Sequence, residues 1–229
     1  NQPEDRGLEL DGVSEPAPTL TDLTTAEALR SAAFWIFALS SSLFGLVYSG
    51  IALFNESILV QRGFDASVYH DVLVISTMLG LLANFGGGWL ATKIPIQRLT
   101  GFGMAALAAA LVMLPMVRTY THVLIYGAIM GIAGGVVTVV FFCVWGQVFG
   151  RAHLGRIQGC AQMMTVLASA VGPLLLAETL RSTGSYDFIF NLLAVLTVVL
   201  GVAAWFVRMP SREARHGDAQ WAQELASPS

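Results

Sequence analysis

The chain has 229 residues, 55% of them hydrophobic and only 12% charged, with a mean hydropathy of +0.67. An ordinary soluble domain carries about 25% charged residues, so the composition excludes that class and points to a membrane protein. The net charge of −3 leaves no electrostatic footprint for nucleic acid, which is excluded as a partner.

Residues 1–23 carry Glu4, Asp5, Glu9, Asp11 and Glu15 with three prolines and no apolar periodicity, the composition of a disordered linker. No basic segment leads into an apolar core there, so a signal peptide is not expected. The chain opens on Asn1 rather than Met and is expected to be a piece of a longer protein. Thr24 and Glu27 have capping-box spacing, in which a hydroxyl and a carboxylate each satisfy an orphan backbone N–H. A helix is expected to start there and run straight into the membrane.

Six apolar runs follow: Ala32 to Ile58, Val68 to Ala91, Leu99 to Val117, Val123 to Phe149, Ile157 to Leu180, and Phe188 to Val207. Each is close to the roughly 20 residues that cross a hydrocarbon core as a helix. Isolated strands would leave backbone groups unpaired in lipid, so the fold class is an all-α membrane protein with a six-helix transmembrane domain over residues 24–207. The connections are short and hold Gly63, Pro95, Gly150 and Gly184. Residues 208–229 form a polar tail with a helical patch around Ala219 to Leu225. Cys143 and Cys160 both fall inside apolar runs, which argues against a disulfide framework.

Basic residues orient the bundle. Arg30, Lys93, Arg98, Arg151, Arg156, Arg208, Arg212 and Arg215 share one side, against Arg62, Arg118 and Arg181 on the other. The positive-inside rule then puts both termini in the cytoplasm, in a multi-pass protein of the plasma or inner membrane.

Polar residues are concentrated on the first, second, fourth and fifth spans. The first has two sevenfold series, Ser41-Tyr48-Asn55 and Ser42-Ser49-Glu56, which form adjoining stripes on one helical face. Its opposite face, with Leu43, Phe44, Val47 and Ile51, is apolar. His70, Thr77 and Asn84 line the second span, and Gln158, Gln162, Thr165 and Ser169 the fifth. The fourth presents Gly127, Gly131, Gly134, Thr138 and Trp145. The third and sixth have almost no polar residues and read as lipid-facing support around a water-accessible cavity.

Each feature has a plainer alternative. Small residues in membrane helices also form packing surfaces, and a serine hydroxyl can bond its own i−4 carbonyl. Glu56, His70, Asp71 and Glu178 gather at the outer interface by helical rise. They are candidates for an outer gate or proton-coupling site, or are simply solvated there. The four histidines show no metal-ligand spacing, and no histidine within a span core can serve a serine nucleophile. No catalytic residue, metal or cofactor is expected.

The entry Glu27-Ala28-Leu29-Arg30 with Phe34-Trp35, the six spans, and the second connection resemble the C-terminal half of a major facilitator superfamily transporter. In that connection Gly88, Leu90, Lys93 and Arg98 match the family loop signature GxLxDRxxxR, with Thr92 in place of the acid. Val144 to Arg151, His153 to Gly155, Gly172-Pro173 and Thr183 to Asp187 are similar in order to the monocarboxylate and oxalate/formate antiporter-like branch. That branch often carries an arginine in the span equivalent to the second here, to pair with an anionic substrate; this chain has none between Val72 and Ala91.

The resemblance implies a fold of two inverted three-helix repeats and a missing N-terminal six-helix half. It also implies secondary active transport of a small solute by alternating access, with a coupling proton as an optional partner beside the lipid bilayer. Tyr48, Ser49, Asn84, Thr138, Trp145, Gln158 and Gln162 are the substrate-cavity candidates, since a cavity needs a few placed polar groups and an aromatic wall. The alternative is a self-contained six-span channel subunit or an oligomerising structural membrane protein.

Overall fold

A computed structural model describes residues 23–209. Both tails, and the helical patch expected at Ala219 to Leu225, lie outside the described residues. Helix α1 (Thr25–Arg30) is followed by α2 (Ala32–Gln61), α3 (Val68–Leu90), α4 (Ile96–Met113), α5 (Tyr120–Phe149), α6 (Leu154–Thr183) and α7 (Asp187–Phe206). A 3-10 turn, Leu114–Met116, extends α4. The six expected spans are therefore α2 to α7, all long and apolar enough to cross a membrane, and the protein is an integral multi-pass membrane protein. The ends of the bundle are called here the tail end, holding residues 23 and 209, and the far end.

The Thr24 capping box forms as expected: the Thr24 backbone N–H donates to the Glu27 carboxylate at 2.8 Å, and the Glu27 N–H donates to the Thr24 hydroxyl at 3.4 Å. The helix it starts does not run into the first span. Ser31 is extended, with φ −82° and ψ 139°, and its hydroxyl donates to the Ala28 carbonyl while accepting from Phe34 N–H. One side chain thus closes α1 and caps α2, satisfying groups that a continuous helix would have bonded internally. Elsewhere several spans run a few residues past the apolar runs, while α3 and α7 stop one residue short at Leu90 and Phe206; two of the extended ends carry caps. The Thr119 hydroxyl accepts from His122 N–H to open α5. Gly184, in the left-handed conformation at φ +71°, closes α6 by donating to the Leu180 carbonyl.

The dominant helix contacts pair α3 with α5, α2 with α6, and α4 with α7. Exchanging α2–α4 for α5–α7 maps the first two pairs onto each other and the third onto itself, the signature of two three-helix repeats. Half of a major facilitator fold has this arrangement. Lipid offers no hydrophobic drive between helices, so close packing must hold such pairs. A Cβ on Gly131 would lie 2.3 Å from the Ser76 carbonyl oxygen, one on Gly135 2.3 Å from that of Gly80, and one on Gly172 2.1 Å from that of Leu46. Each crossing also carries a hydroxyl-to-carbonyl bond: Ser76 to Gly127 at 2.8 Å, and Ser49 to Ser169 at 2.7 Å.

Two apolar clusters cap the bundle. Phe34, Phe37, Trp145, Phe149 and Ile157 centre the tail-end cluster; Ile58, Leu111, Tyr126, Tyr186 and Phe190 centre the far-end one. The expectation that the third and sixth spans face lipid holds for one side of α7, where Phe188, Val195, Val199 and Phe206 are exposed. The most exposed spans are nevertheless α3 and α6. Only 11% and 17% of their apolar windows are buried, against 61% for α5.

Gly135→Ala and Gly172→Ala are expected to lower the unfolding temperature of the detergent-purified protein, by an overpacking cost of about 1–3 kcal/mol. Gly86, on the same helix as Gly80 and with nothing near its Cβ position, should accept alanine without loss. Equal unfolding temperatures for all three variants would refute the glycine-crossing account.

Candidate functional site

Between the two clusters the helices α2, α3 and α5 enclose a hollow of about 510 Å³. Phe44 and Tyr48 come from α2, Ser76, Thr77, Gly80 and Asn84 from α3, and Gly131, Gly134 and Thr138 from α5. A second hollow of about 240 Å³ lies on the other side of Phe44 and Thr138 and adds Ser41, Thr165 and Gln162, so it reaches α6. A third, of about 340 Å³, shares Asn84 and Thr138 and extends to Trp89 and Cys143. No residue of α4 or α7 lines any of the three. The grouping read from the polar residues, with spans one, two, four and five around the cavity, is the grouping seen.

The local reasons are simple. Phe44 and Tyr48 are one helical turn apart, so their rings stack, with centroids 5.5 Å apart and 24° between planes. Facing them, α5 offers glycine: a Cβ on Gly134 would be 3.6 Å from the tip of the Phe44 ring. Gly134 thus leaves α5 without a side chain toward Phe44, while Gly131 and Gly135 face α3. Thr138 is exposed, and its hydroxyl donates back to the Gly134 carbonyl at 2.8 Å.

The seven cavity candidates separate by surroundings. Tyr48, Asn84 and Thr138 line the first hollow, and Gln162 the second. Ser49 does not line them; it spends its proton on the Ser169 carbonyl and belongs to the α2–α6 crossing. Trp145 is fully buried, packed against Phe34, Phe141 and Phe149. Gln158 is half-buried one turn before Gln162 and lines none of the three hollows. Phe44 is the residue that sequence reasoning placed elsewhere, on the apolar face of the first span. Its i, i+4 relation to Tyr48 was the available signal.

The four outer candidates share the far end and line none of these three hollows. Asp71 accepts from the Tyr120 hydroxyl at 3.0 Å, tying α3 to α5. Glu178 takes a two-pronged hydrogen bond from Arg181, at 2.8 and 3.0 Å. His70 is exposed, with Nδ1 3.2 Å from the Ser67 carbonyl, and Glu56 is exposed. In the adjoining turn the Ser67 side chain and backbone N–H hold the Asp65 carboxyl below the usual carboxylate range. Arg62 and Asp187 form an ion pair that binds the end of α2 to the start of α7.

At the tail end, Gly88 and Leu90 of the loop signature lie in the last turns of α3, Lys93 is exposed in the turn, and Arg98 is exposed in the first turn of α4. Thr92, standing where the signature has an acid, donates its hydroxyl to the Trp89 carbonyl at 2.7 Å. It caps the helix rather than pairing with a base.

Four buried side-chain groups have no hydrogen-bond partner among the described residues: Ser40 Oγ, Asn55 Oδ1, Tyr126 OH and Trp145 Nε1. An unsatisfied buried polar group costs about 1–3 kcal/mol. All four lie on α2 and α5, the two helices that line both main hollows.

Asp187→Asn is expected to lower the unfolding temperature modestly, since a part-exposed ion pair contributes about 0–1 kcal/mol. The drop should vanish in an Arg62→Met background and shrink in high salt. Additive effects of the two substitutions would show that the pair contributes nothing.

A family model, the Major Facilitator Superfamily, matches residues 15–227. Comparison with curated proteins finds no match.

Proposed function

The chain belongs to the Major Facilitator Superfamily, whose members are transporters rather than enzymes, and from that premise we propose that it is the C-terminal six-helix half of a twelve-span secondary transporter. It carries a small solute across the bilayer by alternating access. The observation that supports this reading is the pairing of an interior hollow with an uncovered wall. The hollow lies among α2, α3 and α5, and beside it α3 and α6 leave Leu81, Phe85, Met163 and Leu167 exposed. A second six-helix half packed against α3 and α6 would cover those side chains and close the hollow into a cavity.

The tail end is proposed as the cytoplasmic end. Among described residues Arg30, Lys93, Arg98, Arg151, Arg156 and Arg208 lie there, against Arg62, Arg118 and Arg181 at the far end, and the excess of basic residues marks the inside. Transport by rocking of two halves also fits the orphaned groups. A helix that exchanges partners between two states leaves some polar groups unpaired in each, and α2 and α5 hold all four.

Cysteines introduced singly at Thr77, Asn84 and Thr138, in a protein whose Cys143 and Cys160 are replaced by serine, are expected to react with a membrane-impermeant thiol reagent. Their rates should exceed by an order of magnitude those at Ala110 and Ala194, which are buried against α4 and α7 neighbours. Uniformly slow reaction would overturn the cavity, and a sustained ionic current through the reconstituted protein would mark a channel instead.

A further inference from the structure

The walls of the main hollow differ in kind, and the difference selects a class of solute. On α2 the stacked Phe44 and Tyr48 rings form a flat aromatic wall, and Tyr48 is 47% exposed. Of the α5 glycines that line the hollow, Gly134 faces the Phe44 ring tip, while Gly131 and Gly135 turn to the α3 backbone. The half-exposed Tyr48 ring is the flat surface this wall offers, and a flat group can stack on it. Thr77 and Asn84 complete the rim; neither side chain is hydrogen-bonded within the described residues, so both are free to bond a solute. Thr138 keeps its acceptor lone pairs, because its proton is already used on Gly134.

None of the residues lining the three hollows carries a charge. On the helices that enclose the main hollow, the carboxylates are Glu56 and Asp71, both at the far end, and Asp71 is engaged by Tyr120. A carboxylate or ammonium brought into this hollow would lose water and meet no opposite charge, a penalty that nothing in the lining offsets. A neutral planar group would instead gain ring stacking and amide or hydroxyl partners.

Resting on the transporter reading, we infer that the solute presents to this half an uncharged planar ring bearing a neutral hydrogen-bonding group. An aromatic amide is of this class, and an aromatic carboxylate is not. The ring stacks on the exposed Tyr48 ring. Its polar substituent bonds the Asn84 amide, which can donate and accept, and the Thr138 hydroxyl oxygen, which accepts.

Three ring-matched probes separate the possibilities: benzamide, benzoate and benzyltrimethylammonium, each measured by saturation-transfer NMR on the full-length protein in nanodiscs, with empty nanodiscs subtracted. Benzamide is expected to give the strongest transfer. Its affinity should fall about tenfold in Asn84→Leu, the loss expected when a site hydrogen bond goes unmade. It should fall comparably in Tyr48→Leu, and less in Thr138→Val, which offers a milder variant should either of the others not fold. Phe102→Ala, on the exposed side of α4, should leave it unchanged.

Stronger transfer to benzoate or to the ammonium probe, no transfer to any probe, or benzamide transfer indifferent to all three site substitutions would overturn the assignment. Benzamide binding that depends on Tyr48 and Asn84, in a reconstituted protein that carries a sustained ionic current, would sink the transporter reading alone. Thiol access without benzamide binding would sink the solute assignment alone.

Discussion

The structure depends on how closely two backbones can approach in lipid. At the α3–α5 and α2–α6 crossings the carbonyl oxygens of Ser76, Gly80 and Leu46 occupy space that a Cβ on the facing glycine would need. Van der Waals contact and hydroxyl-to-carbonyl bonds take over where the hydrophobic effect has nothing to offer. Two tight pairs result, and what separates them is as important as what joins them. Because α5 turns one glycine face to α3 and another toward Phe44, the stretch that binds one helix also leaves the open volume beside another. Packing and cavity are two consequences of the same residues, so they are not competing explanations of the Gly127 to Gly135 series.

The spans were legible because membrane crossing makes length and apolarity nearly sufficient. Their caps were legible where a hydroxyl stood at the right spacing, as at Thr24. Ser31 was not, because a serine inside a run of helix formers gives no sign that it will leave the helix and bond both neighbours. Within the spans, residue type told which helices matter but not which way each side chain turns. Ser49 and Tyr48 are adjacent on α2, yet one binds α6 and the other lines the hollow. The sevenfold series could not separate them, because a crossing partner, not helical period, decides which stripe is covered. Trp145 illustrates the reverse error: an aromatic at the end of a glycine series suggests a cavity wall, but Phe34, distant in the chain, packs on it at the same end of the bundle and encloses it. Such long-range contacts leave no trace in local pattern.

Charge is pushed to the ends of the bundle, and there it does structural work. Asp71 with Tyr120, Glu178 with Arg181, and Arg62 with Asp187 all lie at the far end. The last of these joins α2, which lines the hollow, to α7, which lines none of the three described. Neutral groups alone are left in the middle, where a hydroxyl or amide is tolerable and an unpaired charge is not.

The short helix α1 has a mechanical consequence. Leu23 N–H donates to the Phe149 carbonyl at the end of α5, and the Trp35 indole of α2 donates to the Leu29 carbonyl of α1. Ser31 fastens α1 to α2 without making them one rod. The segment from Leu23 to Trp35 is therefore a strap across the tail end, anchored on α2 and α5, two of the three helices that enclose the hollow. Any separation of α2 from α5 at that end has to stretch or release this strap. A tug on the chain upstream of residue 23 reaches both helices at once.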